Sequence, residues 1–501
     1  MSNPSRNEWP WFRLTVLLVV FGSALGFVVH RSLTGKSTDQ RTVLHVGHFI
    51  PEDAGTVALE EIAREYNRLH PNVIVKFQRI PRSIYYQWFR TQLVSDNPPD
   101  IIQYNLQQDS ALRQLISRHF LPLNHLVNQP NPYNAGTSLA EVPLAETYVD
   151  GLRGRVAYFP EMGTYFGLPY SAVTLRIIYN RDLMAKIAGD PDYTPKTWDE
   201  FVALCEQVQT YAEDHEIKLF PIAASQFGVY LVSNESFINV TQKLALRHDY
   251  NLDFDANYPL GTTLGYLNRH WDLTTPEIKA GFQLYRQIGS FMQPGFLQFS
   301  DSDVLFQFLQ GRALMMVASS PALSDVADFK LGIFRIPGIP RNDPQYGHYV
   351  LGPYSEAAHS TTHPFGIPRG TPHREIAQDF LLFLTSQRIN QQYALATDQV
   401  PVIKGVSLGP LAEKFVPDPH GYPYGLQPRS LGSSSSQMTF ARSLYLLFRA
   451  DGGIDAFIRN LESNQFREIV YRDAGVIAKN YSQNLQETDV ALTGRYLSTD
   501  Q

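Results

Sequence analysis

Pro195-Lys196-Thr197-Trp198-Asp199-Glu200-Phe201 is the stretch on which the reading of this chain turns. Thr197 and Glu200 have the spacing of a capping box, in which the threonine side chain serves the amide three residues on and the glutamate reaches back. Phe201, Leu204, Val208 and Tyr211 then recur at helical spacing, so an amphipathic helix with one buried face is expected here. Because this start lies well past the first hundred residues, it marks where a strand-and-helix pattern restarts.

Working outward, the same alternation appears on both sides. Val43, Leu44, Val46, Phe49 and Ile50 make a short β-rich segment. Thr56 is a candidate N-cap for a helix carrying Leu59, Ile62, Tyr66 and Leu69, with Pro71 as its stop. Val73–Phe77 is again short and β-branched, and Ile101-Ile102 follows a Pro-Pro-Asp turn. Downstream, Thr275-Pro276 opens a helix with proline in the first turn, where its missing N–H costs nothing. Phe308-Leu309-Gln310-Gly311 reads as a helix ending at glycine, followed by a strand over Ala313–Ala318. Thr371-Pro372 starts a helix through Phe380, Leu381 and Leu384, and Ser436–Lys479 is mostly helical in pattern. Gly432–Ser436 and the Pro/Gly-rich Pro417–Pro428 read as irregular connections. The β–α–β–α order predicts an α/β fold with a mostly parallel sheet.

Composition narrows the choice. At 501 residues the chain exceeds the ~250–300 residues that one core usually holds, so at least two domains are expected. The apolar fraction of 44% is that of a globular protein, and a mild net charge of −6 argues against nucleic acid as a partner. The 27 Tyr and 30 Phe suit carbohydrate stacking, though most rings serve packing. Cys205 is the one cysteine, which rules out an intramolecular disulfide and the usual lipid-anchoring cysteine after a leader.

Residues Leu14–Val29 form an apolar run flanked by Arg13 and by His30-Arg31. As a helix it spans about 24 Å, short of the ~30 Å hydrocarbon core, unless Trp9, Trp11 and Phe12 extend it. Two readings follow: an uncleaved anchor over residues 12–30, or a cleaved signal peptide with Ala24 and Gly26 as small residues near the cleavage point. Both export the body. Gly35-Lys36-Ser37-Thr38 imitates the end of a phosphate loop, but His30 stands where its first glycine belongs.

Signals for catalysis are weak. No G-x-S-x-G elbow, no H-E-x-x-H and no C-x-x-C is expected. His45 and His48, an odd number apart on a strand, point to opposite faces and cannot serve one metal. His359 and His363 sit in Ser/Thr/Pro-rich sequence that favours extended chain, and Glu60-Glu61 reads as a solvated helix face. A glycosidase would need two carboxylates a few ångströms apart in the fold, which spacing alone does not place. No cofactor or metal is expected.

Taken in order, these segments resemble the extracellular solute-binding proteins of bacterial ABC importers, family 1, the sugar-binding type. Val57–Leu69 with His70-Pro71-Asn72-Val73 resembles the first helix and second strand of that family. Pro99-Asp100-Ile101-Ile102 is similar to its next strand, and Gly167-Leu168-Pro169-Tyr170 with Ile178–Leu183 to its first crossing between lobes. Pro195–Phe201 carries the most distinctive likeness, Phe308–Met316 resembles a further helix-to-strand step, and His363–Ile367 a degraded second crossing. The resemblance implies a two-lobed periplasmic-binding-protein-like fold (type II) with hinge strands, preceded by one N-terminal apolar helix. It implies an anchor or signal with linker over residues 1–41, a first lobe of 43–172 plus 365–425, and a second of 173–364 plus 426–501. It also implies a monomer that captures a sugar or related polar solute in the inter-lobe cleft and delivers it to ABC permease subunits in the inner membrane.

By position, the resemblance implies ligand-binding roles for residues just after strands: His48 and Phe49, Tyr104 and Asn105, Tyr170 at the first crossing, Gln226 and Tyr230, and Ser319 and Ser320. Tyrosine and phenylalanine would stack on a sugar face, with amides and hydroxyls orienting it. Three departures stand out: Ala318-Ser319-Ser320-Pro321 where a glycine and tryptophan are usual, Ser360–His363 where the second crossing is usually glycine-rich, and the absent lipid-anchoring cysteine. Two alternatives stay open: a degenerate fold of this kind acting as a membrane-tethered sensor or assembly module, and an exported carbohydrate-active enzyme.

Overall fold

The structure is a computed structural model. It describes residues 41–475 apart from 51–52, 96–97, 105–109, 155, 160–161, 249–259, 320–329, 357–363, 423–424, 427–430, 433 and 450. The apolar run of residues 14–29, the Gly35–Thr38 segment, His359 and His363 lie outside the described residues. Among the described residues, no helix is long and apolar enough to cross a membrane.

Among the described residues, ten strands fall into two four-stranded sheets and a hairpin. β1 (Thr42–His48), β2 (Val73–Arg79), β3 (Ile101–Gln103) and β10 (Phe365–Gly366) form the first sheet in the order β10-β3-β1-β2. β1 is parallel to both β2 and β3, whereas β10 runs antiparallel. β4 (Tyr158–Phe159) and β5 (Thr164–Tyr165) make the hairpin. The second sheet contains β6 (Leu175–Asn180), β7 (Phe220–Ala223), β8 (Ala313–Ser319) and β9 (Leu331–Phe334) in the order β7-β8-β6-β9. β7 and β8 are parallel, and β6 is antiparallel to both β8 and β9. The predicted α/β class and mostly parallel first sheet are observed; the second sheet is mixed.

Alternation explains the first sheet. Leu44, Val46 and His48 are fully buried on one face of β1, and His45 on the other is exposed. The helix Asp53–Leu69 covers that buried face with Leu59, Ile62, Ala63 and Tyr66, which recur at helical spacing, while Glu60 and Glu61 face solvent. Thr56 lies inside this helix and is not its N-cap. Buried Gly55 and Ala58 pack the helix start against its surroundings, which carries it a turn further back than Thr56 suggests. Phe49 and Ile50 also fall beyond the end of β1.

Helix Trp198–Asp214 begins at Thr197, whose hydroxyl accepts from Glu200 N at 3.2 Å. The box is only half made, because the Glu200 carboxylate accepts instead from Lys196 N at 2.6 Å. Phe201, Leu204 and Val208 are buried, as their spacing predicts. Helix Pro276–Ser290 starts on its proline, and helix Asp301–Leu309 stops before Gly311, whose φ of +66° turns the chain into β8.

Two expected boundaries move. Thr371 does not open a helix: its hydroxyl donates to Asp100 Oδ1 at 2.5 Å and accepts from His373 N at 3.0 Å, and the helix runs over Arg374–Leu384. The serine run is not wholly irregular. Ser434–Ser443 is helical, pinned where Ser436 N donates to Asp473 Oδ2 at 2.9 Å. The tail is otherwise helical as expected, over Tyr445–Phe448, Ile454–Ser463 and 466–475. Its Phe440, Phe457, Leu461 and Phe466 join Phe237, Phe282 and Tyr285 in the core beneath the second sheet. Each such ring brings roughly 1.5–3 kcal/mol from leaving water. The core of the first lobe continues without a break onto Ile178, Met316 and Phe308 on one face of the second sheet.

Candidate functional site

The topology brings strand ends from both sheets to the crossings. β1 and β3 are parallel and end together at His48 and Gln103. Phe365, opposite Gln103, is bridged to Leu168 by Leu168 N to Phe365 O at 2.9 Å and by the return bond at 3.1 Å. The chain then passes Tyr170 and Ala172 into β6, whose first residue Leu175 pairs with Ser319, the last of β8. Because β7 is parallel to β8, and Phe334 of β9 lies opposite Ile177, the ends of β7, β8 and β9 reach this same edge. The carboxyl ends of strands from both sheets therefore flank the crossings, which is where ligands enter open α/β sheets.

On the first-lobe side Gln103 is the hub. Its Oε1 accepts from Phe49 N at 3.1 Å, its Nε2 donates to the Tyr170 hydroxyl at 3.2 Å, and its carbonyl accepts from the Tyr85 hydroxyl. Phe49 packs on Tyr85 with ring centroids 4.6 Å apart, and Tyr170 stacks on Phe365 at 5.1 Å. Asn390 Nδ2 donates to the Tyr170 carbonyl at 2.6 Å, fixing the crossing to the helix Gln387–Thr397. Gly167 has to be glycine: a Cβ there would stand 2.7 Å from the Tyr104 hydroxyl and 3.0 Å from the Phe365 carbonyl.

Two buried polar atoms on this side have no partner among the described residues, His48 Nε2 and the Tyr104 hydroxyl. His48 Nδ1 accepts from Ile50 N at 3.3 Å, which leaves the proton of the neutral ring on Nε2. Burial, helped by the Arg79 charge, lowers the His48 pKa to about 4, so the ring stays neutral at neutral pH. Burial holds the Tyr104 hydroxyl far above its ordinary range, against a smaller opposing effect of Arg113, so it remains a hydroxyl.

The second-lobe side is polar and charged. Gln293 brackets Ala224 with bonds from Ala224 N at 3.0 Å and to Ala224 O at 2.6 Å, and Ser225 Oγ donates to Asp301 Oδ1 at 3.0 Å. At the start of β6, Arg176 forms a bidentate pair with Glu356, at 2.6 and 3.0 Å. Arg335, just past β9, contacts Asp418 Oδ2 at 3.0 Å and Glu235 Oε2 at 3.5 Å.

Of the nine residues named from sequence, His48, Phe49, Tyr104 and Tyr170 gather at the first-lobe edge, and all four are buried. His48 is the last residue of β1 and does not follow it. Ser319, half-buried, closes β8 on the opposite edge. Gln226 and Tyr230 fall in the helix Gln226–His248, which begins three residues past β7; their side chains lie outside the described residues, as do Asn105 and Ser320 entirely. Gln103 and the Arg176–Glu356–Arg335 group were not anticipated. The signal for Arg176 was there: one cation in the otherwise apolar run Leu175–Tyr179.

The letters G-x-S-x-G do occur, at Gly405–Gly409, which corrects the expectation that the motif is absent. No strand leads into them, and the Ser407 backbone is held at both ends by the Gln391 amide, at 2.7 and 3.0 Å, so this is a loop and not a nucleophile elbow. Among the described residues, no three His, Cys, Asp or Glu side chains gather to hold a metal.

The sequence profile of bacterial extracellular solute-binding proteins matches residues 61–420. The "Multiple sugar-binding protein" of Streptococcus mutans is 23% identical over 430 residues, 82% of this chain and 89% of the relative. Among solved structures, a "Chitin oligosaccharide binding protein" superposes with a TM-score of 0.61 at 16% identity, covering 87% of this chain and all of that one. A raffinose complex of the binding protein RafE gives 0.56 at 19% identity, covering 85% and 100%. The two-lobed fold is common to these structures, and this chain belongs to the bacterial extracellular solute-binding protein family.

Proposed function

We propose that the chain is the substrate-binding component of an ABC importer, capturing a saccharide between its lobes and handing it to permease subunits in the inner membrane. The observation that carries this reading is the convergence of strand ends from both sheets on the crossings, in a family of solute binders. The names of the relatives, which include sugar-binding and raffinose-bound proteins, supply the ligand class. The lobes of this reading are 43–172 plus 365–425 and 173–364 plus 426–501, and the ligand contacts it assigns are His48, Phe49, Tyr104, Asn105 and Tyr170 from the first and Gln226, Tyr230, Ser319 and Ser320 from the second. The protein of this reading is a monomer without enzymatic activity on the periplasmic side of the inner membrane, anchored by residues 12–30, or free in the periplasm if that segment is cleaved.

The test is thermal stabilisation of the chain by maltotriose, raffinose and chitin oligosaccharides. A ligand at 100 times its Kd adds about 2.7 kcal/mol to the folded state, so at least one should raise the melting temperature measurably. A flat response to all of them counts against the reading. One observation favours a second reading, a sensor or assembly module with a sealed cleft: four of the nine positions are enclosed by protein, and the first core runs on to the second sheet. A flat sugar response with an intact melting transition would favour that module.

A further inference from the structure

Three segments pass between the lobes near the second sheet, and one side chain touches all of them. The first is the stretch from Leu168 through Thr174 into β6. The second lies between Glu356 and Phe365 of β10, and its residues 357–363 are outside the described residues. The third starts at Lys414, beside Phe415 of the first core, and includes Asp418 on the way to Leu426 of the second. Arg176 sits on the first and is 3% exposed. Its Nη1 and Nη2 pair with the carboxylate of Glu356 on the second segment, and its Nε and Nη2 donate to Lys414 O and Val416 O on the third, both at 2.9 Å. The remaining Nη1 proton goes to Leu175 O at 2.7 Å, so all five guanidinium donors are used. Glu356 closes the knot: its Oε2 accepts from Asp418 N at 2.8 Å, and its own N donates to Asp418 O at 2.8 Å. Thr174 adds a bond from its hydroxyl to Phe415 O at 2.5 Å.

A second guanidinium sits beside this knot and is contested. Arg335 Nη1 donates to Asp418 Oδ2 at 3.0 Å and lies 4.0 Å from Glu356, and its Nη2 donates to Tyr354 O at 2.7 Å. On its other side Nε lies 3.5 Å from Glu235, on the helix Gln226–His248 within the second lobe. Two guanidiniums thus face three carboxylates, Glu235, Glu356 and Asp418. Among the described residues, the imidazole in contact is that of His420, whose Nδ1 lies 3.0 Å from Asp418 Oδ1.

We propose that Arg176 and Glu356 are the positioning clasp of the hinge, binding the three crossings into one unit, and that Glu235 sets the tension of this clasp by competing for Arg335 when it is ionised. Burial pushes the Glu235 carboxyl up to about 7, with Glu356 adding and Arg335 and Arg176 opposing. Below that pH the neutral Glu235 releases Arg335 to Asp418 and Glu356, and the crossings are drawn together. Above it the ionised carboxylate pulls Arg335 towards the helix, and the third crossing slackens. The proposal rests on the two-lobed fold and not on which guest the cleft takes.

The test is pulsed electron resonance on the full chain, with nitroxides at Glu60→Cys on the first lobe and Glu213→Cys on the second in a Cys205→Ser background. Both labelled positions are exposed. Without ligand, the inter-lobe distance distribution should be about twofold wider at pH 8.5 than at pH 5.5, following the ionisation of Glu235. In Glu235→Gln it should stay narrow at both pH values, which a change driven by His420 would not allow. Arg176→Lys should be wide at both. A width independent of pH in the parent, or a Glu235→Gln protein that still widens, overturns the proposal. Should Arg176→Lys fail to fold, the Glu235→Gln comparison decides alone. The measurement uses no sugar, so its failure is distinct from a flat saccharide response.

Discussion

Arg176 and Glu356, both nearly inaccessible, show what one buried pair commits a fold to. Removing one partner strands the other charge in the interior, which generally costs about 3–5 kcal/mol. Glu356→Gln should therefore lower the urea midpoint strongly, far more than the loss of the exposed Arg181–Asp192 pair would. Gly167→Ala, which drives a methyl against the Tyr104 hydroxyl and the Phe365 carbonyl, should cost about 1–3 kcal/mol by the same measurement. His48 and Glu235 act on stability in opposite directions with pH. The folded-state pKa of His48 is depressed from 6.5 to about 4, so its contribution is present above 6.5 and lost as pH falls through 4. For Glu235 the value is raised from 4.5 to about 7, so its contribution is present below 4.5 and lost as pH rises through 7. Denaturation across pH 4–8 should show His48→Asn flattening the acid limb and Glu235→Gln flattening the fall above pH 5. The family resemblance pointed to His48 and Tyr170, each beside a strand or a Gly-Leu-Pro-Tyr turn, and both sit at the first-lobe edge. The Arg176–Glu356 pair was hidden, since its members are 180 residues apart and only the fold brings them together.

At the level of elements, periodicity was legible and starting points were less so. The buried faces of Asp53–Leu69 and Trp198–Asp214 follow directly from the spacing of Leu59, Ile62 and Tyr66, and of Phe201, Leu204 and Val208. Where a helix begins depends on what its first turn packs against, which local spacing does not reveal. Thr371 looks like a cap, but Asp100, 271 residues away, takes its hydroxyl, so the helix waits until Arg374. The serine run looks like a linker, but the Asp473 carboxylate holds Ser436 N and the run turns helical. Thr197 does cap its helix, with its hydroxyl serving Glu200 N. Thr197→Ala should therefore destabilise the chain by about 1 kcal/mol in chemical denaturation, with Thr197→Ser close to the parent. Glu200→Gln should matter less, because its carboxylate serves the exposed Lys196 amide instead of closing the box.

For the molecule as a whole, the two sheets and the segments that join them set what the protein can do. A fold with one continuous sheet has no gap to close; here the order β10-β3-β1-β2 and the order β7-β8-β6-β9 are separate, and the strand ends meet at the crossings. That arrangement favours hinge closure around a guest, with the polar groups of the second lobe opposing the aromatic and amide groups of the first. On the proposed reading, a polar guest at the first-lobe edge would supply the partners that His48 Nε2 and the Tyr104 hydroxyl lack among the described residues. The most direct test is small-angle X-ray scattering from the full chain, alone and saturated in turn with maltotriose, raffinose and a chitin oligosaccharide. Lobe closure on a saccharide predicts a smaller radius of gyration with at least one of them; scattering curves that superimpose with and without every sugar would contradict it.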